Sequence, residues 1–208
     1  MAKPLLHRVT ELVFVAAVIV LGAVFCVPLA LCTRLRQWLF VRLLGVASWL
    51  WPDDFEETRR ATMAALDEVE SHDPELRADG AVRLLEVGAG FGANFGFMRR
   101  KVKYWNVDPN TEFESAFLET LKNYPKVEME RWVPSCGEDM KQVPDNHFDV
   151  VLTTHLLCSV DSGEKVLQEC RRVLVKVPLH FHHISAKLCE KFYLALPMIP
   201  AIARVEKF

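Results

Sequence analysis

Apolar and polar positions along residues 82–174 change period several times, and each change predicts a new secondary-structure element. Mostly apolar runs predict strands at Val82–Val87, Val102–Val107 and Phe148–Thr153, and residues that alternate between two faces predict another at Val127–Val133. Stretches with apolar residues three or four positions apart predict the helices between them, which are Ala93–Arg100, Thr111–Asn123 and Gly163–Leu174. Alternation of this kind is typical of a parallel sheet with helices on both faces.

The first part of the chain has a different pattern, in which apolar residues follow one another without interruption. Leu12–Cys32 contains no charged residue, and its length suits a transmembrane helix of about 20 residues. Three arginines between residues 34 and 42 follow it, against two basic residues before it, so we expect the downstream domain to face the cytosol. The alternative is a signal peptide cleaved after Ala30-Leu31-Cys32.

Two further segments separate this run from the first strand. Gln37–Trp51 is apolar with three tryptophans and is too short to span, so it lies in the membrane interface or packs on the domain. Because Pro28 interrupts the first apolar run, a hairpin that enters and exits the same leaflet is an alternative to a spanning helix. Asp53–Ser71 is predicted to be an amphipathic helix that covers a sheet face or closes over a ligand.

Composition narrows the function classes. The 208 residues carry a net charge of −2, which does not favour nucleic acid as a partner. The six cysteines show no C-x-x-C spacing, so we predict neither a metal site nor a disulfide framework. The predicted organisation has four parts, which are an anchor and interfacial segment (1–51), a linker with the amphipathic helix (52–80), an α/β domain (81–175) and a tail (176–208).

The strongest chemical signal is the sequence Leu84-Leu85-Glu86-Val87-Gly88-Ala89-Gly90-Phe91-Gly92, in which a buried strand runs into three glycines spaced two apart. Glycine lacks a Cβ, so such a turn takes positive φ and lets a ligand lie against the backbone. We expect a helix to begin near Ala93, which would offer free N–H groups to an anion. This combination predicts a nucleotide-cofactor loop.

Two cofactors compete for this loop. The spacing of Gly88, Gly90 and Ala93 also satisfies the dinucleotide fingerprint, which favours NAD. Glu86 favours S-adenosylmethionine, because a carboxylate in a buried strand is a poor neighbour for a pyrophosphate and a good one for an ammonium and a sulfonium. A Glu86 side chain that points to solvent would remove this preference.

Polar residues also follow the second and third strands. Asp108 ends the second strand about 20 residues after the first glycine, where an acid commonly binds ribose hydroxyls, although it is also placed to cap the next helix. After the third strand, Gly137 allows close backbone approach, and Glu138 or Asp139 is placed to accept from an adenine amino group.

These motifs together resemble class I methyltransferases. The resemblance rests on Leu84–Phe95, Val107-Asp108-Pro109-Asn110, Gly137-Glu138-Asp139-Met140, Phe148-Asp149-Val150-Val151 with Leu156-Leu157-Cys158-Ser159-Val160, and Lys165–Leu174. The similarity is greatest to the small membrane-anchored group whose members methylate alkyl thiols. It implies a Rossmann-like class I methyltransferase sheet, here shortened after about four to five strands, with an N-terminal apolar helix.

The resemblance also implies a cofactor and a set of binding residues. The cofactor would be S-adenosyl-L-methionine, with the methionine part along Glu86 and the loop formed by Gly88, Ala89, Gly90 and Gly92. Asp108 would bind the ribose, and Gly137 with Glu138 the adenine. Thr154 and His155 would lie near the methyl group, and His155 is a weak candidate for a catalytic base.

The function that follows is transfer of a methyl group to a small thiol or another small molecule. We expect it at a membrane, at the endoplasmic reticulum or lipid droplets, with the domain facing the cytosol. The family pattern is lost after Leu174, where Val177–His183 is the only candidate for a fifth strand, so we also expect weak or absent catalysis. The alternative function is an inactive, membrane-anchored binding protein.

Overall fold

The computed structural model describes residues 27–50 and 56–176, together with five single positions between residues 13 and 24. The chain divides into two compact units, Met1–Pro52 and Asp53–Phe208. The candidate binding residues predicted above all belong to the second unit.

The first unit contains helix α1 (Thr33–Leu50), in which no residue is buried. Its exposed apolar side chains include Trp38 and Trp49. The predicted span Leu12–Cys32 lies mostly outside the described residues. Within the described part of the chain, no helix has both the length and the apolar character needed to cross a membrane.

The second unit is built on four parallel strands in the order β3-β2-β1-β4. Their bounds are β1 (Val82–Val87), β2 (Val102–Val107), β3 (Val127–Val133) and β4 (Val150–Thr153). The first three match the predicted strands in full, so the α/β prediction with a parallel sheet is confirmed. The chain order reverses between β1 and β4, and ligands of open α/β sheets bind beyond the carboxyl ends of strands at such a point.

Helices connect the strands and cover both faces. They are α2 (Glu56–Ala64), continued by a 3₁₀ turn at Ala65–Glu68, then α3 (Pro74–Ala78), α4 (Glu114–Leu121) and α5 (Gly163–Val173). The stripe predicted for the helix before the sheet is buried, since Met63, Leu66 and Val69 are each at most 3% exposed. Helix α3 was not predicted, although its signal was present, because Asp73 caps it and Pro74 opens it.

Two apolar clusters form the core, one on each sheet face. One joins the α2 stripe and residues of β1 and β2 to Phe95 and Phe117. The other packs α5 against Leu85 and Val87 of β1 and Phe148 before β4. Strand β1 contributes to both clusters and is paired on both sides, with β2 and β4, so the loop that follows it has a rigid base.

The helix predicted at Ala93–Arg100 is wrong. Turns follow the glycine loop, and only a short 3₁₀ turn forms at Phe95–Phe97. Two causes act together. Glycines at positions 92 and 96 are poor helix formers. In addition, the Phe95 ring is inserted into the core, edge-on to the rings of Tyr104 and Phe117.

The fourth strand is shorter than the predicted Phe148–Thr153. Arg83 N–H donates to the Asp149 side chain (2.8 Å), and Phe148 is joined to Leu174 by an isolated parallel bridge. Asp149 N–H also donates to the Arg83 carbonyl (3.0 Å), and the ladder with β1 begins at Val150. The predicted fifth strand Val177–His183 and its histidines lie outside the described residues.

Candidate cofactor site

The loop after β1 carries three glycines in the left-handed region of backbone space. The φ angle is +77° at Gly88, +54° at Gly90 and +77° at Gly92. Side chains with a Cβ rarely adopt this conformation. The loop is closed by hydrogen bonds from Gly88 N–H to the Val107 carbonyl (2.8 Å) and from Gly92 N–H to the Ala89 carbonyl (2.9 Å). The predicted glycine turn is therefore confirmed.

The three glycines differ in what surrounds them. A Cβ built on Gly92 would lie 2.3 Å from the Phe95 ring, and one on Gly88 would lie 2.8 Å from a leucine side chain. A Cβ on Gly90 would come no closer than 3.9 Å to any other residue. The left-handed backbone favours glycine at all three positions, and at Gly92 the buried Phe95 ring also leaves no room for a side chain. A Cβ on Gly90 would make only an ordinary contact, with the Phe113 ring, so there is room for a ligand atom beside this residue.

Glu86 is completely buried at the end of β1 and does not point to solvent. Its carboxylate accepts hydrogen bonds from Tyr104 Oη, from Asn94 Nδ2 (2.5 Å) and, at 3.5 Å, from Thr154 Oγ1. These donors come from β2, the glycine loop and the end of β4. Glu86 therefore joins the three segments that meet at the reversal of strand order.

Burial raises the pKa of Glu86 to about 6, against the opposing effects of its donors Tyr104, Asn94 and Thr154 and of the nearby charge of Arg59. Burial, together with the adjacent Glu86 carboxylate, also holds the pKa of Tyr104 well above its usual range. At neutral pH the hydrogen-bonded pair of Glu86 and Tyr104 therefore carries one negative charge, which is buried near the end of β1 and favours a cationic ligand group.

Asp108 lies at the end of β2 and is 5% exposed. Its carboxylate accepts from the backbone N–H of Asn110 (2.9 Å) and Gly90, while burial raises its pKa. The predicted capping role belongs instead to Asn110, whose side chain accepts from Glu112 N–H (3.2 Å) at the start of the next turn. Asp108 is therefore held against the glycine loop, and its ribose role remains a prediction.

The loop after β3 is attached to the start of α5. Glu138 Oε1 accepts from Asp161 N–H (2.8 Å) and Ser162 N–H (3.4 Å), and Ser162 in turn caps the helix. A Cβ on Gly137 would lie 2.9 Å from Val87, so this loop passes directly over the end of β1. One carboxylate oxygen of Glu138 is thus hydrogen-bonded to the protein backbone, and a contact between Glu138 and adenine remains a prediction.

His155 follows β4 and has a left-handed backbone with φ of +53°. Its Nε2 lies 3.5 Å from the guanidinium of Arg59 on α2, which is itself 7% exposed. A guanidinium offers only donors, so Nε2 is the acceptor in this contact. His155 Nε2 is therefore engaged by a cation, which argues against the predicted role of this nitrogen as a base.

Sequence reasoning missed four site residues, which are Arg59, Asn94, Tyr104 and Asn106. Arg59 precedes Met63 by four positions and Leu66 by seven, so the sequence already placed a cation on the buried stripe of the helix. Asn106 is a polar residue within a buried strand, and its Oδ1 accepts from Ala89 N–H (3.3 Å). For Arg59 and Asn106, the available signal was a polar residue at a buried position of an otherwise apolar helix stripe or strand.

The geometry fits the cofactor implied by the sequence resemblance. Room for a ligand atom beside Gly90 allows a ligand to reach the backbone, and carboxylates lie at the ends of both β1 and β2, at the same edge of the sheet. Buried amide atoms also have unused capacity, since Asn94 Oδ1 and Asn106 Nδ2 have no hydrogen-bond partner among the described residues. A ligand with a cationic amino acid part and hydroxyl groups matches this donor and acceptor set.

Comparison with known proteins gives the same assignment. A family model described as a methyltransferase domain matches residues 85–177. Thiol S-methyltransferase TMT1B of Homo sapiens is 46% identical over 97 residues, which are 47% of this chain and 40% of that protein. Thiol S-methyltransferase TMT1A of Homo sapiens is 33% identical over 160 residues, which are 73% of this chain and 66% of that protein.

The chain therefore spans between about two fifths and two thirds of the length of these curated relatives. Among solved structures, an S-adenosyl-L-methionine-dependent methyltransferase of Methanococcus maripaludis aligns with 59% of this chain and 55% of its own, at a TM-score of 0.42 and 14% identity. That likeness is too low to bear on function.

Proposed function

Because the chain belongs to the class I S-adenosylmethionine-dependent methyltransferase family, in the group that includes the thiol S-methyltransferases, we propose that it transfers a methyl group to a small thiol. The observation that carries the proposal is the glycine loop, which has room for a ligand atom beside Gly90 and lies at the same sheet edge as the buried carboxylates of Glu86 and Asp108. The cofactor of the family is S-adenosyl-L-methionine.

The residues that would hold this cofactor each have a physical reason for the assignment. The Gly88–Gly92 loop allows contact with the backbone, and the buried charge of Glu86 favours the cationic amino acid part. Asp108 is held by the loop at a position suited to hydroxyl groups. When bound, the cofactor supplies a methyl group on a positively charged sulfur, which departs as a neutral thioether.

The sulfur of the methyl acceptor must be ionised and aligned with the methyl group of the cofactor. An in-line displacement gains most of its rate from positioning, and a thiolate needs no further activation. Thr154 and His155 follow the end of β4, and Thr154 is joined to Asn94 of the glycine loop at 3.0 Å. This contact supports a fixed distance between the cofactor loop and the acceptor side.

The proposed reaction is tested by incubating the chain with methyl-labelled S-adenosylmethionine and a small alkyl thiol. We expect label in the thioether product, and none with Gly90→Val, because a branched side chain would fill the ligand space. A folded wild-type chain that binds the cofactor without labelling any thiol would favour the inactive binding protein. A chain that binds only nicotinamide nucleotides would overturn the proposal.

We further propose that the domain is held at a membrane of the endoplasmic reticulum or of lipid droplets and faces the cytosol. The uncharged run Leu12–Cys32 and the arginines that follow it support this proposal. So does helix α1, with exposed tryptophans and no acidic residue. The protein should resist carbonate extraction, whereas a mature N-terminus at Thr33 would indicate a cleaved signal peptide.

A further inference from the structure

Helix α2 brings a cation to the acceptor side of the site, and no role has been assigned to it. Arg59 is 7% exposed and lies on the same helix face as the buried residue Met63. Burying a guanidinium is costly unless it is paired or hydrogen-bonded, so the contacts of Arg59 fix its position. Its neighbour on the same helix, Arg60, is largely exposed and pairs with Glu56 at 2.7 Å, so the two arginines form a natural comparison.

The Arg59 guanidinium lies near two segments, the residues that follow β4 and the 3₁₀ turn at Phe95–Phe97. It lies 3.5 Å from His155 Nε2 after β4, and its Cζ is 6.0 Å from the centre of the Phe97 ring after β1. Among the described residues, His155 lies against the Arg59 guanidinium, and the charge of Arg59 acts on the carboxyl group of Glu86. Arg59 is therefore held beside the residues that follow β4, with an aromatic ring close to its guanidinium.

This arrangement changes the way a thiol can be activated. With His155 Nε2 turned toward a guanidinium, that nitrogen does not remove a proton. A cation, however, makes a base unnecessary, because it favours the thiolate and lowers the pKa of the thiol. Even a cysteine thiol has a pKa of about 8.5, and simple alkyl thiols are weaker acids, so each unit by which the pKa falls gives about ten times more thiolate at neutral pH.

Building on the proposed thiol methylation, we propose that Arg59 contacts the acceptor sulfur and holds it as the thiolate. The thiol proton leaves to solvent before transfer. The electron pair of the thiolate forms the new sulfur–carbon bond, and the pair of the broken bond stays on the departing thioether sulfur. A cation at this position also disfavours amine acceptors, which would be repelled in their protonated form.

The test measures thiol ionisation without turnover. An aromatic thiol whose thiolate absorbs in the near ultraviolet is titrated with pH in the complex of the chain with S-adenosylhomocysteine. We expect its apparent pKa to lie at least one unit below that in water, and to return toward the free value in Arg59→Gln. Arg60→Gln should behave as wild type, since Arg60 lies on the exposed side of α2.

Kinetics and calorimetry complete the test. For Arg59→Gln, kcat/KM at pH 7 should fall by about tenfold or more with an alkyl thiol and recover at high pH, with little change for a thiol already ionised at pH 7. Arg59→Lys should retain part of the effect. S-Adenosylhomocysteine affinity should stay within about twofold of wild type, which corresponds to less than about 0.4 kcal/mol.

Three results would overturn the inference. Loss of S-adenosylhomocysteine affinity in Arg59→Gln, with no loss for a decarboxylated analogue, would show that Arg59 binds the carboxylate of the cofactor. An equal loss with both thiols at every pH would show a purely structural role. An unshifted thiol in the wild-type complex would show that no thiolate is stabilised. A wild-type chain without methyl transfer would instead overturn the proposed function.

Discussion

Asp149 holds the segment before β1 to the sheet, and its replacement by asparagine should destabilise the fold substantially. The carboxylate is 1% exposed and accepts four hydrogen bonds. The donors are Ser71 Oγ (2.8 Å), His72 N–H (2.8 Å), His72 Nδ1 (2.6 Å) and Arg83 N–H (2.8 Å). One side chain thus satisfies donors from two separate parts of the chain.

The size of the effect follows from the geometry. One Asp149 oxygen faces the backbone N–H of His72, and the other faces that of Arg83. Either orientation of an asparagine amide therefore turns its NH₂ group against a partly buried backbone donor. An unsatisfied donor costs about 1–3 kcal/mol when buried and less when partly buried, and the remaining bonds lose charge assistance, so we expect a total loss of about 1–3 kcal/mol.

The pH dependence has a definite sign. Burial alone would raise the pKa of Asp149, but hydrogen bonds from Arg83, His72 and Ser71 outweigh it and lower the pKa. A carboxyl group with a lowered pKa in the folded state adds stability above its unfolded pKa of about 3.9, and the stability is lost as pH falls further. The difference between wild type and Asp149→Asn should therefore shrink below about pH 4.

Urea unfolding at pH 7 and at several values down to pH 3 measures this difference. Asp139→Asn is the matched control, because that acid is exposed and pairs with the exposed Lys141, so its effect should stay below about 0.5 kcal/mol. A loss for Asp149→Asn below about 0.5 kcal/mol at pH 7, or one that does not change with pH, would refute the reasoning.

The other predictions concern the cofactor loop and its buried acid. Gly90→Val should weaken S-adenosylhomocysteine binding by more than about tenfold in calorimetry and leave far-ultraviolet circular dichroism unchanged, whereas Gly92→Ala should lower the Tm, because its Cβ would meet the Phe95 ring. Burial raises the pKa of Glu86 to about 6, so the contribution of this residue to the free energy of unfolding is present at low pH and should fall by about 2 kcal/mol as pH rises from about 4.5 to 6. Glu86→Gln should remove this pH dependence of the free energy of unfolding, measured by denaturant titrations at several pH values. Tyr104→Phe removes a hydrogen-bond donor that lowers the pKa of Glu86, so the fall in the free energy of unfolding should extend to higher pH.

The strands and the glycine turn could be predicted because their determinants are local in sequence. Six-residue, mostly apolar runs specify β1 and β2, and glycine is the residue best suited to the φ angles found at positions 88, 90 and 92. The order of the motifs also indicated the family. These features depend on neighbouring residues, which a single sequence contains in full.

The errors arose where distant side chains decide the local structure. The helix expected at Ala93 does not form, because Asn94 is held by Glu86 and Phe95 is packed against β2 and α4. In β3 the expected alternation breaks at Glu130, where the pairing with β2 skips one residue and Glu130 accepts instead from Trp105 Nε1. No periodicity within either segment reports these contacts.

The acceptor side of the site was the least predictable part. The resemblance indicated Thr154 and His155, but the cation beside them comes from α2, almost 100 residues earlier in the chain. The sequence showed Arg59 only as a charged residue on an apolar stripe. Its contact with His155 depends on how α2 packs over the sheet, which requires the folded structure.

The central claim is that the glycine loop binds S-adenosylmethionine, and isothermal titration calorimetry of the purified chain tests it most directly. S-Adenosylmethionine and S-adenosylhomocysteine should bind at one site, and NADH should give no heat at the same concentrations. Gly90→Val should abolish the signal of both methyl-cofactor ligands. Binding of NADH by a folded chain that gives no response to S-adenosylmethionine would contradict the account.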